Sequence, residues 1–281
     1  MRRCLSDILN NADMSFQDEY GNLHELFYNH ETYYYSGGTV YGTLYGHTRS
    51  MFLKLPSTLR KSFSSIDNFE KKLGLGFRYK SELESLDEFI LFCELSYNFA
   101  NCIRQITPIY SRKTSDFFTK FYTDQILEIM DRFGYISNIK NGITNFVPKN
   151  PAAIAVAEII DEDLAYDVIE YNHHSMRGDL LAKKTTLLRF ANLLEPKRSE
   201  LKAINEKLSV NIFFMFNNLD LRHNNSTSGD KNYQQYTEQM SKADLEAWYD
   251  ELYQMCLLAF LELDNIERAK NVDTLKKNYK S

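Results

Sequence analysis

The sequence predicts a mainly α-helical protein with one β-hairpin inserted among the helices, preceded by a small irregular or β-containing module. Three observations lead there. From Ser81 onward, apolar residues recur at spacings of three and four, the period of a helix with one buried face. Asn141-Gly142 stands between two β-prone runs, and both residues tolerate positive φ, the chemistry of a tight hairpin. Residues 20–50 hold Gly21, Gly37, Gly38, Gly42 and Gly46, five of the 11 glycines, so the N-terminal part is built differently from the rest. We divide the chain into a module over 1–80 and a helical region over 81–281.

Composition narrows the classes. The chain has 281 residues, 43% hydrophobic and 25% charged, ordinary values for a globular protein with a sizeable core. A formal charge of −5 argues against a broad basic surface for DNA and leaves room for a local basic site. No apolar run follows Met1-Arg2-Arg3, so no secretory signal is expected. Runs such as Cys256 to Leu261 are too short to span a bilayer. The expectation is a cytoplasmic protein without a membrane partner. Cys4, Cys93, Cys102 and Cys256 form no CxxC pair and read as reduced thiols.

In chain order, Tyr33-Tyr34-Tyr35 precedes a turn at Ser36-Gly37-Gly38. Thr39-Val40-Tyr41 and Thr43-Leu44-Tyr45 have strand-like composition. Gly74 and Gly76 mark the boundary. Ser81-Glu82-Leu83-Glu84 has the capping-box form and opens a helix with Leu83, Leu86, Ile90, Cys93, Tyr97 and Ala100 on one face. A second helix covers Ser115 to Arg132 and stops at Gly134. The hairpin follows over 135–147. Pro148 and Pro151 close it and open a helix from Ala152 to Tyr171. Another runs from Gly178 to Leu194. The next begins near Pro196 and carries Leu201, Ile204, Leu208, Ile212, Met215 and Leu219. Ser241-Lys242-Ala243-Asp244 caps the last, whose stripe is Leu245, Trp248, Leu252, Cys256, Ala259 and Leu263. Beyond Asn271 the charged end is expected to fray.

Several motifs are set aside. His24 and His30 are six apart, where a zinc-protease helix needs histidines four apart on one face. The run Gly37 to Gly46 lacks the Gly-Lys-Ser/Thr end of a phosphate loop. His173-His174 reads as capping of a helix end, and Asp161-Glu162-Asp163 as a solvated helix face. No His/Cys/carboxylate set has metal-ligand spacing, so we expect no metal and no cofactor.

One stretch remains: Asn217-Asn218-Leu219-Asp220-Leu221-Arg222-His223-Asn224-Asn225, at the end of an apolar helix and before a polar loop. On a structural reading, Asn217, Asn218 and Asp220 cap the helix end, and Arg222 and His223 complement its negative pole. On a functional reading, the stretch is a phosphodiester site. Arg222 supplies planar donors for a phosphate, His223 exchanges a proton near neutral pH, and the asparagines orient the imidazole or bond a ribose. That set suffices for metal-independent RNA cleavage by the neighbouring 2′-hydroxyl.

The order of a long amphipathic helix, this Arg-His element, a polar loop and a Trp-containing final helix resembles the C-terminal domain of abortive-infection proteins of the HEPN superfamily, AbiJ-type proteins in particular. The resemblance covers roughly residues 146–264, with Glu195-Pro196, Lys197 and Arg222-His223 as its clearest points. It implies a HEPN-like helical bundle over about 146–268, often dimeric, and a role in phage defence. Many such domains are ribonucleases whose histidine lies a few residues after the arginine; here it is adjacent.

The resulting expectation is an antiviral abortive-infection effector acting on RNA as a metal-independent endoribonuclease. Arg222 and His223 are its catalytic residues, supported by Asn217, Asn218, Asp220, Asn224 and Asn225. The alternative is a non-catalytic HEPN-like sensor or adaptor that binds RNA or a phage protein. DNA binding through the helix–hairpin–helix near 115–170 fits the acidic composition less well. Expected partners are RNA, a second copy of the chain, and a phage-derived trigger or a second host protein. Trp248 is expected in the monomer core, with Tyr249 and Tyr253 left for the dimer contact.

Overall fold

The computed structural model describes residues 15–35, 39–106, 112–222, 228–229 and 235–279. The chain is mainly helical and divides into two compact units, Met1–Phe146 and Val147–Ser281. The division falls within the second strand of the hairpin, between Phe146 and Val147, rather than near residue 80. The reason is aromatic packing: Phe89, Phe92 and Phe99 join one buried cluster with Tyr20, Phe27, Phe52 and Phe69, so the first long helix completes the N-terminal core.

In the N-terminal unit, α1 (Phe16–His24) starts where the Ser15 hydroxyl accepts the Gln17 amide. Strand β1 (Thr32–Tyr35) pairs antiparallel with β2 (Thr39–Gly42), Tyr33 opposite Tyr41. The turn read at 36–38 lies outside the described residues. Thr43-Leu44-Tyr45 is not a strand. The Thr43 hydroxyl accepts the Gly46 amide at 3.0 Å and opens α2 (Leu44–Met51), which buries Leu44, Tyr45 and Thr48 at helical spacing. The short α3 (Ile66–Leu73) is closed by Gly74 at φ +70°, a left-handed conformation that a Cβ would disfavour.

Helix α4 (Leu86–Ile106) begins one turn later than Ser81 suggests. Ser85-x-x-Glu88 carries the same motif, and it is the Ser85 hydroxyl that accepts the Glu88 amide. The Gln17 side chain accepts the Leu83 amide and donates to the Leu83 carbonyl, which keeps that segment out of the helix. Helix α5 (Arg112–Arg132) ends before Gly134 at φ +80°. The predicted hairpin is present: β3 (Tyr135–Lys140) and β4 (Ile143–Pro148), joined by Asn141 and Gly142 at φ +54° and +75°.

The C-terminal unit is a helical bundle. The helix predicted from Ala152 to Tyr171 is two: α6 (Pro151–Ala157), capped by the Asn150 side chain, and α7 (Glu162–Glu170). Asp161, Glu162 and Asp163 are exposed, the solvated face expected of them, and they stand at a helix start, where carboxylates complement the positive pole. Next come α8 (Leu180–Leu194), α9 (Arg198–Ile204) and α10 (Glu206–Asn218). The stripe expected from Leu201 to Leu219 breaks at Asn205. Its side chain accepts the Leu208 amide and donates to Glu262, so Ile204 turns outward. The last helix, α11 (Lys242–Asn278), carries the predicted Ser241–Asp244 capping box. It stays helical past Asn271, with Lys276 and Asp273 paired along it.

The buried face of α11 is the expected one at Leu252, Cys256 and Ala259, but it turns away from Trp248 toward two tyrosines. Trp248 is 48% exposed, while Tyr249 and Tyr253 are each 1% exposed and belong to the core. Both tyrosines find a backbone acceptor: Tyr249 donates to the Leu219 carbonyl at 3.0 Å and Tyr253 to that of Val168 at 2.7 Å. Tyr253 also stacks on Tyr171 with ring centroids 4.0 Å apart. A ring with a satisfied hydroxyl is readily buried, and here two such rings replace the tryptophan. Among the described residues no helix is long and apolar enough to cross a membrane. Cys93, Cys102 and Cys256 are buried free thiols; Cys4 lies outside the described residues.

Candidate functional site

The Arg222 turn is built by the end of α10. The Leu219 amide bonds the Met215 carbonyl, Asp220 takes a left-handed conformation at φ +54°, and the Arg222 amide folds back onto the Phe216 carbonyl at 3.1 Å. Asp is among the few residues that tolerate this conformation. Leu219 and Leu221 are buried and anchor the turn in the core.

Arg222 is held from several sides. One guanidinium nitrogen pairs with Glu195 and another donates to the Ala191 carbonyl at 3.2 Å, so both contacts lie at the C-terminal end of α8. The guanidinium carbon stands 5.6 Å from the Phe213 ring centre and 5.2 Å from that of Phe216, within cation–π range. The side chain is still 21% exposed. Glu195 also pairs with Arg198 at 3.7 Å, and Lys184 pairs with Asp220 at 3.3 Å. The turn thus gathers three cations, Lys184, Arg198 and Arg222, around two carboxylates, Glu195 and Asp220. It retains one positive charge at the surface of an acidic protein.

Asn218 donates to the Phe214 carbonyl at 2.7 Å, and Asn217 is half-buried on the last turn of α10. His223, Asn224 and Asn225 lie outside the described residues. The structure places Arg222, Asp220, Asn217 and Asn218 of the sequence-predicted set along the end of α10 and its turn, with Arg222 on Glu195, Asp220 on Lys184 and Asn218 on the Phe214 carbonyl. It adds Glu195, Arg198 and Lys184 as the groups that place and balance them.

Sequence reasoning missed a second polar cluster between α8 and α11. Lys183 is buried and donates to Glu246 and to Asp250, each at 2.7 Å. Glu246 also accepts the Gly178 amide at 2.8 Å. The Lys183 bond, then that amide, hold the Glu246 carboxyl below its ordinary pKa. Next to these groups is a cavity of about 270 Å³, lined among others by Tyr171, Met176, Arg177, Asp250 and Gln254. The Tyr171 hydroxyl is buried and has no partner at hydrogen-bonding geometry among the described residues. Burial, and after it the Asp250 charge, push its ionisation far up. A signal was available: Lys183, Leu187, Phe190 and Leu194 share one helical face, and a lysine on an apolar stripe needs buried counter-charges.

A larger open groove of about 1010 Å³ lies elsewhere in this unit. Its floor is aliphatic, with Ile159, Leu193 and Ile204, and its rim carries carboxylates such as Glu158 and Glu267. No protein-family model, curated protein or solved structure matches the chain.

Proposed function

We propose that the C-terminal unit is a HEPN-like module that cleaves RNA without a metal, with Arg222 and His223 at the reacting phosphate, and that the protein serves in antiviral defence by abortive infection. One observation carries the reading. Arg222 is pinned by Glu195, the Ala191 carbonyl and two phenylalanine rings at a turn that keeps a net positive charge, and His223 follows it directly. A pre-placed guanidinium is what charge stabilisation at a phosphate requires, because no reorganisation is then needed as charge develops.

The chemistry is a transesterification. The imidazole of His223 takes the proton from a ribose 2′-hydroxyl, and the 2′-oxygen forms a bond to the adjacent phosphorus. The bond to the 5′-oxygen breaks, and that oxygen leaves with a proton supplied by a second acid. The products are a 2′,3′-cyclic phosphate and a 5′-hydroxyl. One Arg-His element supplies a single imidazole, so a base and an acid together call for two copies across a twofold axis. With Tyr249 and Tyr253 in the core, the contact candidates become Val210 and Phe214. Both are exposed one turn apart on α10, and Tyr236 packs edge-on to Phe214 at 6.0 Å.

The test is to express the chain in growing cells and map new RNA 5′ ends. Discrete sites that persist with chelator in vitro and vanish in Arg222→Ala and His223→Ala, with melting temperatures kept, fit the proposal. If both variants stay folded and fully active, the site is wrong. If both lose their thermal transition, the turn is structural.

A second reading, a non-catalytic RNA-binding sensor or adaptor, has its own observation: two guanidinium nitrogens of Arg222 are already engaged by Glu195 and the Ala191 carbonyl. Growth arrest with RNA bound and no new ends would select it.

A further inference from the structure

We infer that the cavity beside Lys183 is a recognition pocket for a single unstacked nucleobase. It rests on the RNA reading above for its biological setting, and on its own geometry for the ligand.

Size comes first. A volume of about 270 Å³ equals roughly nine water molecules at about 30 Å³ each, and lies just below the span of pockets that take drug-sized ligands. A one- or two-ring molecule fits.

Charge comes second. Asp250, the carboxylate at the lining, already shares the Lys183 ammonium with Glu246, and that ammonium sits where a metal would have to bind. The two carboxylates also repel a free anion. Arg177 at the lining completes a near-neutral set with Lys183, Glu246 and Asp250. An uncharged ligand is favoured.

Hydrogen bonding comes third. The Tyr171 hydroxyl is buried with Asp250 beside it but outside good hydrogen-bonding geometry, and a buried polar group so poorly met is costly. Asp250, whose side chain is 50% exposed, adds a carboxylate that both Lys183 and Tyr171 approach. Gln254 lines the cavity with an exposed amide. One carboxylate acceptor and two groups that both donate and accept line a space that Met176 flanks with a soft apolar side chain. An apolar ligand would leave all three unmet. A base edge, which alternates donors and acceptors around a flat ring, meets them, and unpaired bases of RNA are read in this way.

The pocket and the Arg222 turn share their supports. Lys184, next to Lys183, pairs with Asp220; Tyr249, next to Asp250, donates to the Leu219 carbonyl.

The experiment is calorimetric titration of the full-length chain with guanosine, adenosine, cytidine and uridine. At least one should bind saturably. Tyr171→Phe keeps the stack on Tyr253 and removes only the hydroxyl. It should weaken that nucleoside roughly fivefold without lowering the melting temperature, and Gln254→Ala should weaken it by a similar factor. Binding by none of the four, or binding that both variants leave unchanged, overturns the pocket. Arg222→Ala should bind the nucleoside as the native chain does. RNA cleavage without nucleoside binding sinks the pocket alone, and nucleoside binding without cleavage sinks only the nuclease.

Discussion

Two buried polar clusters, one in each unit, use similar residue types to different ends. In the N-terminal unit, Asn98 donates to the Glu94 and Thr144 carbonyls, each at 2.7 Å, and accepts the Thr144 amide at 2.9 Å. Glu94 accepts the Phe146 amide at 2.7 Å. These side chains of α4 act as a further strand along β4, and their bonds run to backbone. In the C-terminal unit, the Lys183 cluster bonds mainly side chain to side chain, Lys183 donating to Glu246 and Asp250, reaches the surface through Asp250, and borders a cavity. Polarity spent on backbone holds a fold together. Polarity left over beside a cavity is available to a ligand.

The sharpest way to break this contrast is Asn98→Ala. It strands the Thr144 amide and carbonyl in a buried place, each costing about 1–3 kcal/mol, for a total of about 2–6 kcal/mol. Urea unfolding should show that loss in the N-terminal unit and leave RNA binding untouched. A loss under about 0.5 kcal/mol would mean that the Asn98 bonds to β4 contribute nothing to the fold.

Next in size is the Lys183 cluster. Lys183→Met leaves two carboxylates without their cation, but Glu246 and Asp250 are 21% and 50% exposed, so water offsets much of the loss. A cost of about 1–3 kcal/mol at neutral pH is expected, below that of a fully buried pair. Its pH dependence has a definite sign. The folded pKa of Glu246 is depressed by Lys183 and the Gly178 amide, so its contribution is fully present above the unfolded carboxyl pKa of about 4.3. That contribution disappears as pH falls through the folded value. Melting temperature followed from pH 6 downward should drop in the native chain and drop less in Lys183→Met. Equal slopes would mean that the pair contributes nothing to stability.

Much of the fold was legible because local chemistry agreed with the tertiary outcome. Asn141-Gly142, Gly134 and the Ser241–Asp244 box each demand one backbone geometry and adopt it. The errors came where two local solutions compete. Ser81 and Ser85 both start a capping box, and only Gln17, 66 residues from Leu83, decides between them. Thr43 serves a strand or a helix cap equally well until burial of Leu44 and Tyr45 selects the helix. Asn205 interrupts an unbroken apolar stripe because Glu262 waits across the bundle. At the site, Asn217, Asp220 and Arg222 were visible as polar residues at a helix end. Their partners Glu195, Arg198 and Lys184, and the whole Lys183 cluster, depend on contacts between helices that no spacing within one helix reveals.

The smallest effects test the part of the α11 face that turns from Trp248 to the tyrosines, where burial and residue size give opposite answers. Tyr249 loses only a hydroxyl in Tyr249→Phe, yet that hydroxyl serves the Leu219 carbonyl inside the core and fixes the turn that carries Arg222. The expected loss is about 1 kcal/mol, with RNA cleavage reduced more than stability alone explains. Trp248→Ala removes a far larger side chain, but one that is 48% exposed, so the change should stay within about 0.5 kcal/mol. If Trp248→Ala proves the more damaging in thermal unfolding of the dilute protein, α11 is turned the other way and the tyrosines are the surface. If it is neutral there but weakens self-association at micromolar concentration, the exposed indole belongs to the contact between two copies, and the dimer interface extends from Phe214 onto α11.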